Sequence, residues 1–245
     1  ALAKVNRIEF NVMKGAPMNS FVERLKENDY LTQATIATGS GFFNSKQAYK
    51  SLGFEKVDYL EESPKFQALL EHGPIFDGDL FQHNLAQIKQ QLASSDKPLF
   101  NYVLGMYGHL PFARNLEVRP DIAKVDHPDD RVKRISNQFY YRTQAIAEYI
   151  SKLKELDKNA IIYITSDHLP SILGENTVYQ LDNKTNIALF FEQGENQDVT
   201  GKRYYQLPWL IWDRLIGDKF HRMSLPKKQL ENLYFKRLAE SMGEL

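Results

Sequence analysis

Asp167 and His168 follow directly on the apolar run AIIYIT, residues 160–165. A carboxylate and an imidazole at the end of a strand can both turn toward a hard or borderline divalent cation. Two adjacent donors fall short of the about four that such a site needs. On residue types alone, an Asp capping the next turn beside an exposed His is the other reading. His109 is the second candidate. It lies in the turn Tyr107-Gly108-His109-Leu110-Pro111, where an imidazole could bind a phosphate oxygen or assist a leaving group. His72, His83, His127 and His221 sit in helical or polar stretches and read as solvated, as does the acidic loop Asp126-His127-Pro128-Asp129-Asp130. Trp209 and Trp212 read as core.

The elements that must carry these side chains follow from periodicity. Residues 20–30 have helical spacing, with Phe21, Leu25 and Tyr30 near one face. Residues 31–38 (LTQATIAT) read as a strand, followed by Gly39-Ser40-Gly41, where glycine lets the backbone approach a ligand closely. Helices are expected over 42–52, ended by Gly53, and over 79–92, where Leu80, Leu85, Ile88 and Leu92 recur. Residues 98–106 read as a buried strand, and 115–132 as a proline- and charge-rich excursion. The clearest helix spans 136–156, with Ser136 as its N-cap. The runs 160–165 and 186–191 (NIALFF) have the continuous apolar character of strands buried on both faces, and an aromatic helix over 204–216 follows. Strands alternating with helices predict an α/β fold with a mainly parallel sheet covered on both faces. The turns at Gly39–Gly41, Tyr107–His109 and Ser166–His168 each follow a strand, and in such sheets ligands sit beyond the carboxyl ends.

The totals exclude some functions. Thirty-one Lys and Arg balance thirty-one Asp and Glu, which gives no global pull toward nucleic acid or anionic membrane. There is no cysteine, hence no disulfide, thiolate metal site or cysteine nucleophile. No apolar run reaches the roughly 18 residues of a membrane span.

The order of motifs resembles the sulfatase-like branch of the alkaline phosphatase superfamily, in particular the lipoteichoic-acid-synthase-like and phosphoglycerol or phosphoethanolamine transferases of bacterial envelopes. Glu9-Phe10 with Met13-Lys14-Gly15 looks like the E-F-x-x-[LM]-[TK]-G stretch after that family's nucleophile. Phe42-Phe43-Asn44 and Tyr49-Lys50-Ser51-Leu52-Gly53-Phe54 resemble its F-W-N-R-x-x-x-Y-K-x-x-G-F segment. GPIFDGDLF, residues 73–81, is similar to W-G-x-x-D-x-x-[LM]-F. Gly108-His109-Leu110-Pro111-Phe112 matches x-H-x-P-[FY], and IIYITSDHLP, residues 161–170, matches the most specific motif, T-x-[IV]-[IV]-x-x-[SG]-D-H-[LG]-P.

The resemblance implies one sulfatase-like domain over residues 1–245, a three-layer α/β/α sandwich lacking its N-terminal strand or strands. It implies that Asp167 and His168 bind a divalent metal, Mn²⁺ first with Zn²⁺, Mg²⁺ or Ca²⁺ as alternatives, and that His109 contacts the substrate phosphate. The implied partners are a phospholipid head group or an envelope glycan or lipid, with no nucleic acid, and a membrane reached through segments outside this chain. The implied place is the bacterial inner membrane, with the domain in the periplasm or extracytoplasmic space. Relatives use a threonine nucleophile in a two-step group transfer. Here the matching position falls on Lys4 or Val5, no Ser or Thr precedes Ser20, and Ser45 stands where the head-group arginine would be. The family's first acidic ligand would precede Ala1. No catalytic nucleophile is identified, so two alternatives stand beside the transferase: an inactive sulfatase-fold binding module, and a sulfuric-ester or phosphodiester hydrolase.

Overall fold

The computed structural model describes residues 9–70, 73–168, 170, 186–203, 206–216, 232 and 236. The chain divides into two compact units. One takes the residues up to Gln67, Gln90–Leu104 and the segment from Pro208; the other takes the residues from Ala68 to Lys89 and Gly105–Leu207.

In the first unit, α1 (Phe21–Glu27) starts where Ser20 accepts the Glu23 N–H with its hydroxyl, 3.0 Å away, and the same hydroxyl donates to the Leu52 carbonyl. The cap ties α1 to the end of the next helix. β1 (Leu31–Ile36) is buried along nearly its whole length. A short 3-10 turn, Phe42–Asn44, then leads into α2 (Ser45–Leu52), and Gly53 closes it at φ 92°. That is the left-handed region only glycine enters without cost. β2 (Lys56–Tyr59) was not anticipated, since KVDY is short and half charged. A four-residue helix, α3 (Pro64–Gln67), follows.

β2 and β3 (Leu99–Leu104) flank β1 in parallel, in the order β2-β1-β3, and Ile36 pairs with Leu104 where both strands end. Ala34, Ile36 and Tyr49 form the core beneath them, with Phe10, Phe54 and Val57 packed on it. A fully buried side chain of this size is worth about 1.5–3 kcal/mol. β3 is only half-buried, so the expectation of a fully buried strand fails there. Trp212 on α6 (Leu207–Ile216) is buried against Phe21, whereas Trp209 is exposed. The first two residues of the expected 204–216 helix lie outside the described residues.

The second unit holds most of α4 (Asp77–Ser94) and all of α5 (Asp130–Leu156). α5 begins earlier than expected. Its cap is Asp129, which accepts the Arg131 N–H at 2.9 Å, while Ser136 lies inside the helix and donates to the Val132 carbonyl. The run His127-Pro128-Asp129-Asp130 reads as loop by charge, but a proline followed by acidic residues is also how a helix N-terminus looks. The excursion before it has no regular element, as expected, yet α5 fastens it. Asn137 accepts the N–H groups of Ile122 and Ala123, and Gln138 donates to the Ala113 carbonyl at 2.7 Å.

β4 (Ile162–Thr165), β5 (Ala188–Glu192) and β6 (Glu195–Asn196) form an antiparallel sheet in that order. Gln193 and Gly194, at φ 51° and 78°, make the tight turn between β5 and β6. The expectation of strands buried on both faces in a parallel arrangement is therefore not met for these two runs, since Thr165 and Leu189 are exposed. An apolar run encodes burial of some of its side chains; it does not encode strand direction. The α/β class and the parallel sheet around β1 are as expected.

Candidate functional site

His109 lies in the turn that leaves β3. Its N–H donates to the Met106 carbonyl and its own carbonyl accepts from Phe112, both at 3.0 Å. Phe112, at φ 60°, is fully buried beyond a cis Leu110–Pro111 bond. The backbone is thus pinned on both sides of an exposed imidazole. Nδ1 of that ring is 3.0 Å from the Leu110 carbonyl, which can only accept, so Nδ1 carries a proton. A neutral ring would then present the lone pair of Nε2. Only the protonated ring donates to a phosphate oxygen from that side.

The same turn depends on two residues that the sequence did not single out. Asp77 opens α4 with its side chain 1% exposed, and Oδ1 accepts the Tyr107 N–H at 3.3 Å; the Met106 N–H also reaches it. Nε of Arg142 on α5 is 2.8 Å from Oδ2, without the alignment of a directed hydrogen bond, so the attraction is mainly coulombic. Burial pushes the Asp77 carboxyl above its usual range, while Arg142 and the two backbone N–H groups pull it down. The sequence signal was present in part: Asp77 is the first of the two acidic residues of the GPIFDGDLF segment.

Asp167 and His168 follow β4 as expected. Asn186 holds the strand exit: its Oδ1 accepts from the Ser166 hydroxyl at 2.8 Å and its amide donates to the Ser166 carbonyl. Beyond that anchor, Asp167 Oδ1 accepts the His168 N–H at 2.8 Å, and the ring Nε2 is 3.5 Å from Oδ2. The side chains are 82% and 61% exposed. The donor types suit a divalent cation, but the number does not. Among the described residues no group of three or more His, Asp or Glu side chains is placed to hold a metal. Asp129, in the acidic loop read as solvated, is engaged with Arg131.

In the first unit, the Gly39–Ser40 amides at the end of β1 do not face an open approach. Glu61 accepts from Gly39 at 2.9 Å and Glu62 from the Ser40 N–H at 2.7 Å; the Ser40 hydroxyl first, and this N–H with it, holds the Glu62 carboxyl below its ordinary range. Two of the motif segments meet here as well. Asn44, at φ 55°, donates from Nδ2 to the carbonyls of Phe10 and Met13, both at 2.7 Å. Ser45 is buried and donates back to the Phe42 carbonyl.

The family model described as Sulfatase matches residues 1–223. The chain belongs to the sulfatase family. Solved structures similar to this sulfatase-family chain include an alkaline phosphatase superfamily protein from Vibrio parahaemolyticus, at 20% identity and a TM-score of 0.59, covering 76% of this chain and 44% of that one. The lipoteichoic acid synthase LtaP from Listeria monocytogenes follows at 20% identity and 0.53, covering 71% and 42%. Streptococcus pyogenes phosphoglycerol transferase GacH, in complex with sn-glycerol-1-phosphate, gives 15% identity and 0.53, covering 78% and 56%. These likenesses place the fold as alkaline phosphatase-like. The chain spans about half the length of the solved relatives it matches. No curated protein matches it.

Proposed function

We propose that this sulfatase-family chain is the extracytoplasmic domain of a metal-dependent phosphotransferase that moves a phosphoglycerol- or phosphoethanolamine-type group onto an envelope glycan or lipid. We take residues 1–245 as one sulfatase-like domain, in the periplasm or extracytoplasmic space of a bacterium and joined to the inner membrane through segments outside this chain. Among the described residues no helix is long and apolar enough to cross a membrane.

The observation that carries the reading is the state of the two strand-exit turns in one compact unit. His109 and the pair Asp167–His168 are exposed, while Met106, Phe112 and Asn186 hold the backbone around them. Reactive side chains on fixed backbone are what a phosphate-handling site needs, because positioning supplies much of such catalysis. In this reading the protonated His109 ring donates to a phosphate oxygen. Asp167 and His168 supply two ligands to a divalent ion, Mn²⁺ before Zn²⁺, Mg²⁺ or Ca²⁺; bound there, the ion would neutralise charge on phosphoryl oxygens. The solved relative holding glycerol phosphate supports that substrate class.

A second reading, a sulfatase-fold module that binds such a group without turning it over, is favoured by one observation. Lys4 and Val5, at the position matched to the nucleophile, carry no hydroxyl. Calorimetry with Mn²⁺ and with glycerol 1-phosphate tests the shared part of both readings. Wild type should bind each, Asp167→Ala should lose Mn²⁺, and His109→Ala should bind the phosphate measurably but much more weakly. Equal, negligible binding by all three proteins would remove both site assignments.

A further inference from the structure

We propose that Asp77 and Arg142 are positioning residues for His109, acting together as one clamp on the turn 105–109; the inference rests on reading His109 as a phosphate contact. The carboxylate lies against the backbone itself. A Cβ on Gly105 would stand 2.4 Å from Asp77 Oδ1, so only glycine admits the carboxylate so close to the chain. From there Asp77 takes the N–H groups of Met106 and Tyr107.

Arg142 closes the other side. Its Nε faces Asp77, and its Nη1 would be 2.8 Å from a Cβ on Gly108, with Phe139 Cε1 at 3.3 Å from the same point. At both glycines of the turn a side chain of the ion pair lies where a Cβ would stand. His109 is the next residue, and its N–H closes back on Met106, one of the residues Asp77 holds.

Stability alone does not require this arrangement. A buried ion pair contributes little net stability against a well-packed apolar pair of the same volume, because desolvation offsets the attraction. What it adds is geometry. A carboxylate taken from water keeps its countercharge in one arrangement only, so the turn cannot slide without drawing Asp77 away from Arg142. The exposed imidazole inherits that fixed origin.

The test is a double-mutant cycle with glycerol 1-phosphate as probe. Affinity and melting temperature are measured for wild type, Asp77→Asn, His109→Ala and the double variant. Asp77→Asn keeps the side-chain shape and removes the charge. It should weaken binding roughly tenfold when His109 is present, as expected for a misplaced contact. In the His109→Ala background it should weaken binding no further, while its effect on melting stays the same in both. A purely structural role gives the melting change without the coupling; that result, or unchanged affinity in Asp77→Asn, overturns the proposal.

If wild type binds no glycerol phosphate, or His109→Ala leaves binding intact, the phosphate reading of His109 fails separately. The clamp is then judged by amide exchange. Faster exchange at Met106–His109 in Asp77→Asn, with α5 unchanged, supports it, and unchanged exchange overturns it. Should Asp77→Asn not fold, Gly108→Ala takes its place, since the added methyl must displace Arg142 Nη1.

Discussion

Tyr149 on α5 donates its hydroxyl to Oδ1 of Asn84 on α4, and both side chains are buried. Phe81 stacks on the Tyr149 ring at 4.6 Å and 13°, so the hydrogen bond sits in an aromatic seam between the two helices. Tyr149→Phe keeps the ring and removes the donor. Leaving a buried acceptor short of its partner costs about 1–3 kcal/mol. The urea midpoint should fall by that amount divided by an unchanged slope; an unmoved midpoint would mean water takes the place of the hydroxyl.

Asp129 gives α5 a pH dependence. The Arg131 guanidinium and backbone N–H beside it hold its carboxyl at about 2, against an ordinary value of 3.8. A carboxyl depressed in the folded state contributes stability that is whole above its unfolded value and is lost as pH falls toward the folded one. The window is therefore from 3.8 down to about 2. Asp129→Asn retains a capping oxygen without the charge, so its stability should vary less with pH across that window. Unfolding curves of both proteins through the window decide it, and parallel curves would refute the assignment.

Gly53→Ala should destabilise the first unit. At φ 92° a residue with Cβ costs about 1–2 kcal/mol. The new methyl would also lie 2.1 Å from Glu23 Oε2 and must displace a side chain paired with Lys26. Calorimetric melting reads the effect. A variant as stable as wild type would show that the end of α2 relaxes without penalty.

Turnover separates the two functional readings. If the motif resemblance sets the register, Lys4 or Val5 stands at the nucleophile position, and hydrolysis or transfer of a phosphoglycerol ester by this chain should stay at the level of a His109→Ala control. Release of glycerol phosphate well above that control would remove the binding-module reading and require a nucleophile elsewhere in the chain.

Much of the fold was legible because its signals are local. Ser20 before a helical stripe, Gly53 after one, and the apolar runs at β1 and β4 each report their own structure. β2 was not legible, because four residues with Lys and Asp become a strand only when β1 offers them a partner. The start of α5 was misread for a related reason: Asp129 looks like part of an acidic loop until its carboxylate accepts the Arg131 N–H and caps the helix.

The sequence by itself determined which side chains leave the ends of β3 and β4, His109 and the pair Asp167–His168, since both follow from apolar runs broken by turn residues. Only the tertiary structure decided that Glu61 and Glu62 occupy the Gly39–Ser40 amides, that β4 and β5 run antiparallel, and that Asp77 and Arg142 meet at the turn beneath His109. Spacing along a chain reports neighbours on one strand or helix. Two charges on different helices find each other only after packing has excluded the water that would otherwise satisfy each alone.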